Sequence, residues 1–156
     1  IVNIGAVAGA GTLIVDANAD YALNINPANA ANINFLHADS LLKLTNTGNA
    51  ANRVVTLTNN LGVALNDNFG KLEISSAGTK TLNLAVNAAE TIGTDNTHRI
   101  KELIVSGDKD TTIDPAIFAK TITISNEANS IFNGVINGGV GSVINFTEDG
   151  NNKKKV

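Results

Sequence analysis

The stretch IFNGVINGGVGSVINFT, Ile131 to Thr147, constrains the fold more than any other. Ile131-Phe132, Val135-Ile136 and Val143-Ile144-Asn145-Phe146 are apolar beads, each too short for a helix. β-branched and aromatic side chains favour extended backbone, because they fit a pleated, half-buried surface. Gly138-Gly139 and Gly141 let the chain turn sharply between beads. The expected path is strand, corner, strand, corner, strand.

The same grammar recurs upstream. Leu23-Asn24-Ile25, Ile33-Asn34-Phe35, Leu42-Lys43-Leu44, Leu72-Glu73-Ile74, Leu82-Asn83-Leu84 and Ile122-Thr123-Ile124 are apolar-polar-apolar triplets. Each places two side chains on one face and one on the other, the period of a strand. The expected inward residues are therefore Leu23, Ile25, Ile33, Phe35, Leu42, Leu44, Leu72, Ile74, Leu82, Leu84, Ile122 and Ile124. Strands are expected at 12–15, 22–25, 32–36, 41–45, 53–58, 61–65, 71–75, 80–86, 91–93, 103–105 and 121–125. Residues 85–91 are the one place where a short helical turn competes.

A repeat of short strands with a period of about 20 residues is the mark of a solenoid. Sandwiches and barrels also use short strands, but they need tight hairpin turns. Asn-Gly occurs only at Asn133-Gly134 and Asn137-Gly138, and Asp-Gly only at Asp149-Gly150. The sequence thus predicts an all-β fold, a parallel β-helix of roughly seven to eight short coils. One domain, residues 1–150, is expected as part of a longer repetitive chain, followed by a flexible basic tail at 151–156. Of the 156 residues, 24 are Asn, which suits corners because Asn bonds its own main chain and tolerates left-handed backbone. Asn at equivalent positions of successive coils can also form side-chain ladders.

Candidate chemistry is sparse. With no cysteine, disulfides and thiolate metal sites are excluded. A net charge of −3 argues against a nucleic-acid partner. No apolar run is long enough to span a membrane as a helix. Gly5 to Gly11 is Gly-rich like a phosphate loop, but a strand follows it at once where a helix is needed, so it reads as a corner. Asp16-Ala17-Asn18-Ala19-Asp20 opens like a calcium loop, yet the required Gly and Glu positions hold Tyr21 and Pro27. His37, next to Ala38-Asp39, reads as a corner histidine. Arg99, Lys101, Glu102, Asp108, Lys109, Asp110 and Asp114 carry most of the local charge. They are the only group that could imitate a polysaccharide-lyase site. Thr56/Thr58 and Thr121/Thr123 hint at a flat threonine ladder of the ice-binding kind. Lys153-Lys154-Lys155 reads as a solvated tail. No catalytic, cofactor-binding or metal-binding residue is expected, and no enzyme activity.

NGVINGGVGSVINFT, residues 133–147, resembles a recurring segment of rickettsial outer-membrane autotransporter surface antigens. Asn3-Ile4-Gly5-Ala6-Val7 with Gly11-Thr12-Leu13 resembles a companion segment of the same passengers. The resemblance implies a β-helical passenger segment on the outer face of a bacterial cell, acting in host-cell attachment and recognised as an antigen. Its partners would be a host-cell surface protein or glycan, and neighbouring β-helical coils of a full-length protein. A carbohydrate-active β-helix enzyme and a purely structural spacer are the alternatives.

Overall fold

The computed structural model describes residues 2–17, 21–23, 33–47, 51–58, 60–61, 67–76 and 80–147. Among them there is no helix: every regular element is a strand, and all strand pairs are parallel. The strands are β1 (Val2–Ile4), β2 (Thr12–Asp16), β3 (Tyr21–Leu23), β4 (Ile33–Phe35), β5 (Leu41–Thr45), β6 (Arg53–Leu57), β7 (Lys71–Ser76) and β8 (Leu82–Val86). They continue with β9 (Thr91–Ile92), β10 (Ile100–Gly107), β11 (Thr111–Ile113), β12 (Ala116–Ile117), β13 (Ala119–Ile124), β14 (Ser130–Phe132) and β15 (Val143–Phe146).

These strands form three stacks. The longest is a six-stranded sheet in the order β15-β13-β10-β7-β5-β2. The second is a five-stranded sheet, β14-β11-β8-β6-β3. The third is thinner: β1 pairs with β4, β9 pairs with β12, and single bridges at Leu61 and Ile136 join these pairs into one column. Within each stack, sequence order is spatial order. The chain visits the three stacks in turn and returns to each one rung further on.

Register explains the core. Leu13, Leu42, Leu72, Leu103, Ile122 and Ile144 stand opposite one another along the six-stranded sheet. Val15, Leu44, Ile74, Val105, Ile124 and Phe146 form the parallel column two residues on. Val55, Leu84, Ile113 and Phe132 run along the five-stranded sheet. Ile33, Leu61, Ile92, Ile117 and Ile136 run along the third. A period of two puts each column on one face of its sheet, and the inward faces of the three stacks meet as one apolar interior.

Nine of the twelve expected inward residues are buried: Ile33, Phe35, Leu42, Leu44, Leu72, Ile74, Leu82, Leu84 and Ile122. Ile124 is partly buried against the same cluster. The side chain of Leu23 and all of Ile25 lie outside the described residues. The spacing differs from the expected 20 residues. Hydrogen bonds between successive rungs span 29 to 33 residues through the first part of the chain. Only toward the end do they shorten to 19 to 21. The early corners are longer than the triplets suggest, so successive triplets belong to different stacks of one rung.

Individual strands also shift. The expected strand at 103–105 runs from Ile100 to Gly107, whereas β11 and β12 had no triplet to mark them. Of 61–65, Leu61 makes single bridges to Ile33 and Ile92, and the rest lies outside the described residues. The stretch that could have turned helically continues β8 to Val86 and then bends. There the Glu90 carboxylate accepts the backbone N–H groups of Asn87 and Ala88.

Candidate functional site

The abundant Asn and Asp residues have a specific task at the corners. Six side-chain oxygens accept a backbone N–H from the next rung. Asp16 accepts from Thr47, Asn52 from Thr81, Asn60 from Thr91, Asp67 from Arg99, Asn83 from Thr112 and Asp110 from Asn129. Corner N–H groups fall outside the regular ladder, and an unpaired buried one is costly. A short side chain with a carbonyl or carboxylate oxygen reaches the next rung and satisfies it. Side-chain-to-backbone stitches therefore occupy Asn positions where side-chain ladders were expected. Asn3 and Asn34 alone keep a stacked register, facing each other across β1 and β4.

The charged residues of 99–114 do not converge. Arg99 is buried, and its guanidinium donates to both carboxylate oxygens of Asp67, at 2.9 and 2.6 Å. Its other arm donates to the carbonyl of Gly138 at 2.6 Å and to Ser142 Oγ at 3.3 Å. Arg99 thus ties the corner before β10 to the turn that precedes β15. Lys101 reaches Asp39 at 2.6 Å, on the outer face of the six-stranded sheet. Asp39 also meets Lys71. Glu102 accepts from the Thr123 hydroxyl. Asp108 pairs with its neighbour Lys109, Asp110 accepts from Asn129, and Asp114 accepts from Asn133. Each acid is engaged at its own corner by its own partner.

The remaining motifs are also local. Gly5 and Gly11 pack backbone to backbone: a Cβ on Gly11 would stand 2.6 Å from the Gly5 nitrogen. Between them Ala6 and Gly9 exchange backbone hydrogen bonds, which closes a tight corner into β2. Of the calcium-like loop, Asp16 accepts from the Thr47 hydroxyl and backbone N–H, and 18–20 lie outside the described residues. The ring nitrogen of His37 accepts the N–H of Asp39 within one turn. His98 sits beside Asp95, which also accepts from Thr97. Among the described residues no group of three or more His, Asp or Glu side chains is placed to hold a metal ion. No described helix is long and apolar enough to cross a membrane.

Several carboxylates are held below their ordinary range. Asp67 is lowered from 3.8 to about 2, first by the side-chain hydrogen bonds from Arg99. Asp95 is lowered to about 2, first by the Thr97 hydroxyl. Lys101 lowers Asp39, and the Thr47 hydroxyl lowers Asp16. A carboxylate with a depressed folded pKa adds stability above its unfolded value and loses it as pH falls through the folded one. For Asp67 that window runs from 3.8 down to about 2. Urea melts at stepwise lower pH are expected to show a smaller loss of stability for Asp67→Asn than for the parent chain. Identical pH profiles would mean that the Arg99 pairing adds nothing in the folded state.

Comparison of the chain with protein-family models, with curated proteins and with solved structures finds no match.

Proposed function

We propose that the chain is a parallel β-helix serving as a rigid passenger segment of a bacterial surface protein, attaching to host cells through an extended face. The observation that carries this reading is the register. Three parallel stacks are visited in turn, so each circuit of the chain makes one turn of a coil. Counted on the six-stranded sheet, the described residues make six turns, the last of them partial. This is fewer than seven to eight, because the earlier turns are about 30 residues long. An architecture of repeated rungs supplies length and stiffness, since each rung contacts only its neighbours and the stack grows in one direction.

Two further points support the role. The segment 133–147 resembles the recurring segment of rickettsial autotransporter surface antigens, and it forms the last turn and a half of the coil. The outer face of the six-stranded sheet carries neutralised rows, Lys43 to Glu73 at 2.7 Å and on to Ser106, with Lys101 and Lys71 meeting Asp39. Such paired charges make a mixed polar surface without a strong field. A receptor on this face would be recognised by shape and hydrogen bonding, with little long-range steering.

Adhesion separates this reading from simple charge attraction. Beads coated with the chain are expected to bind host cells about equally at low and physiological salt. A chain ending at Gly150, without Lys153-Lys154-Lys155, should bind as well. Display in many copies on the bead supplies avidity to weak single contacts. Binding that disappears with the lysines, or with salt alone, would sink the adhesive role and leave attraction to anionic surfaces, which screening abolishes.

A further inference from the structure

The two outermost strands of the six-stranded sheet are β2 and β15, at opposite edges. Among the described residues β2 pairs only with β5, and β15 only with β13. Both carry inward-column residues that the interior rungs bury completely. Leu13 is 41% exposed and Ile144 48%, whereas Leu42, Leu72 and Leu103 between them are at 0%. Phe146, at the end of the companion column, is 57% exposed. The apolar exposure follows from rung position, since the residue types match those of the interior. A further strand on either edge would bury them as β7 buries Leu42.

We propose that a second copy of this chain supplies that strand, its β2 adding in parallel to β15. The inference rests on the coil reading above. Its basis is continuity with the interface that already joins every pair of rungs. The columns that end in Ile144 and Phe146 are the columns that begin with Leu13 and Val15. Setting Leu13 of one copy against Ile144 of the other, and Val15 against Phe146, continues both without a change of register. The other stacks fit the same step. Ile136 of one copy meets Val2 of the next, and β14 meets β3, because these too are outermost members of their stacks. The three joints share one translation along the coil. An exposed parallel edge is a template for strand addition, and none of these edge strands carries Lys or Pro to block it. With a net charge of −3, mutual repulsion is small.

The contact is heterologous, head to tail. Each added copy presents the edge that the previous one used, so association is open-ended and yields chains of copies.

Sedimentation velocity on the full 156-residue chain tests this. The mean sedimenting mass should rise continuously with concentration, through dimers to longer species. Ile144→Asp and Leu13→Asp, each placing a charge at one edge, should each leave a monomer. An equal mixture of the two variants keeps one usable edge per copy in complementary pairs, and should give dimers and nothing longer. Dimers in the mixture would support pairing of β15 with β2. A mixture that stays monomeric, or that associates without limit, overturns it. The wild-type measurement stands if the variants misfold: a wild-type chain monomeric at every concentration overturns the proposal. Far-UV circular dichroism on the same samples separates the two readings. A strand-rich monomer rejects the second copy alone, whereas a helix-rich spectrum rejects the coil itself.

Discussion

Leu72→Ala is expected to destabilise the protein by about 2–5 kcal/mol, the range for deleting most of a buried leucine side chain. Leu72 is fully buried at the middle of the six-stranded sheet, with Leu42 on one side and Leu103 on the other. Both neighbours are themselves fully buried, and each is fixed by its own ladder. The cavity left by the truncation therefore has no mobile wall to collapse into, which places the cost in the upper half of that range. For a chain of this size the melting temperature should fall by roughly 10 °C. Glu73→Ala, one residue on, is the control. Glu73 points outward to Lys43 and Ser106, and partly exposed pairs contribute about 0–1 kcal/mol. The contrast between adjacent residues tests the register directly. A one-residue slip would exchange the two results, because it moves every side chain to the opposite face. Equal melting temperatures for Leu72→Ala and the parent would sink the assignment of this column.

The strands that the sequence announces are those with strict alternation. Leu42-Lys43-Leu44 and Leu72-Glu73-Ile74 alternate because one face of each is packed and the other is wet. Thr111-Thr112-Ile113 does not announce itself, because a threonine occupies the inward place. Thr111 is nonetheless fully buried in β11. Ala116-Ile117 is too short to display a period, and only its bridges to β9 and Ile136 define it. The length of a rung was misread for a related reason. Triplets mark strands without telling which stack each belongs to, so steps within a rung and between rungs look alike in one dimension. The Asp67–Arg99 pair was illegible for the same cause: 32 residues separate the partners, and only stacking brings them together. Their role became visible once the corner N–H groups were accounted for, one rung at a time. The exposed apolar residues of 131–147 show the converse. Their pattern predicts strands, and strands form, but β15 is exposed along its whole length because its rung is outermost among those described.

Gly70→Ala is expected to cost more than its single methyl group suggests. Gly70 lies immediately before β7, where the chain enters the six-stranded sheet, and its φ is 75°. An L-residue in this left-handed region costs roughly 1–2 kcal/mol, because its Cβ crowds the following carbonyl. The second contribution is steric. A Cβ at this position would stand 1.8 Å from Cγ of Phe35 and 2.1 Å from its Cδ2. Phe35 is buried in the interior and cannot swing into solvent. Either the ring or the corner must shift, and overpacking of this kind typically costs about 1–3 kcal/mol more. The corner is also held by hydrogen bonds that a shift would strain. The Gly70 carbonyl accepts from Lys101 N–H, and Asn68, itself at φ 63°, donates its N–H to the Arg99 carbonyl. The total expected loss is about 2–5 kcal/mol. Pairing the substitution with Phe35→Leu separates its two causes. If the ring clash dominates, the smaller side chain should recover part of the loss, so the double variant will be more stable than the sum of the single effects predicts. If backbone strain dominates, the two losses will add. Urea melts of the four proteins decide between these, and a Gly70→Ala chain as stable as the parent would mean that this corner does not adopt the left-handed conformation at all.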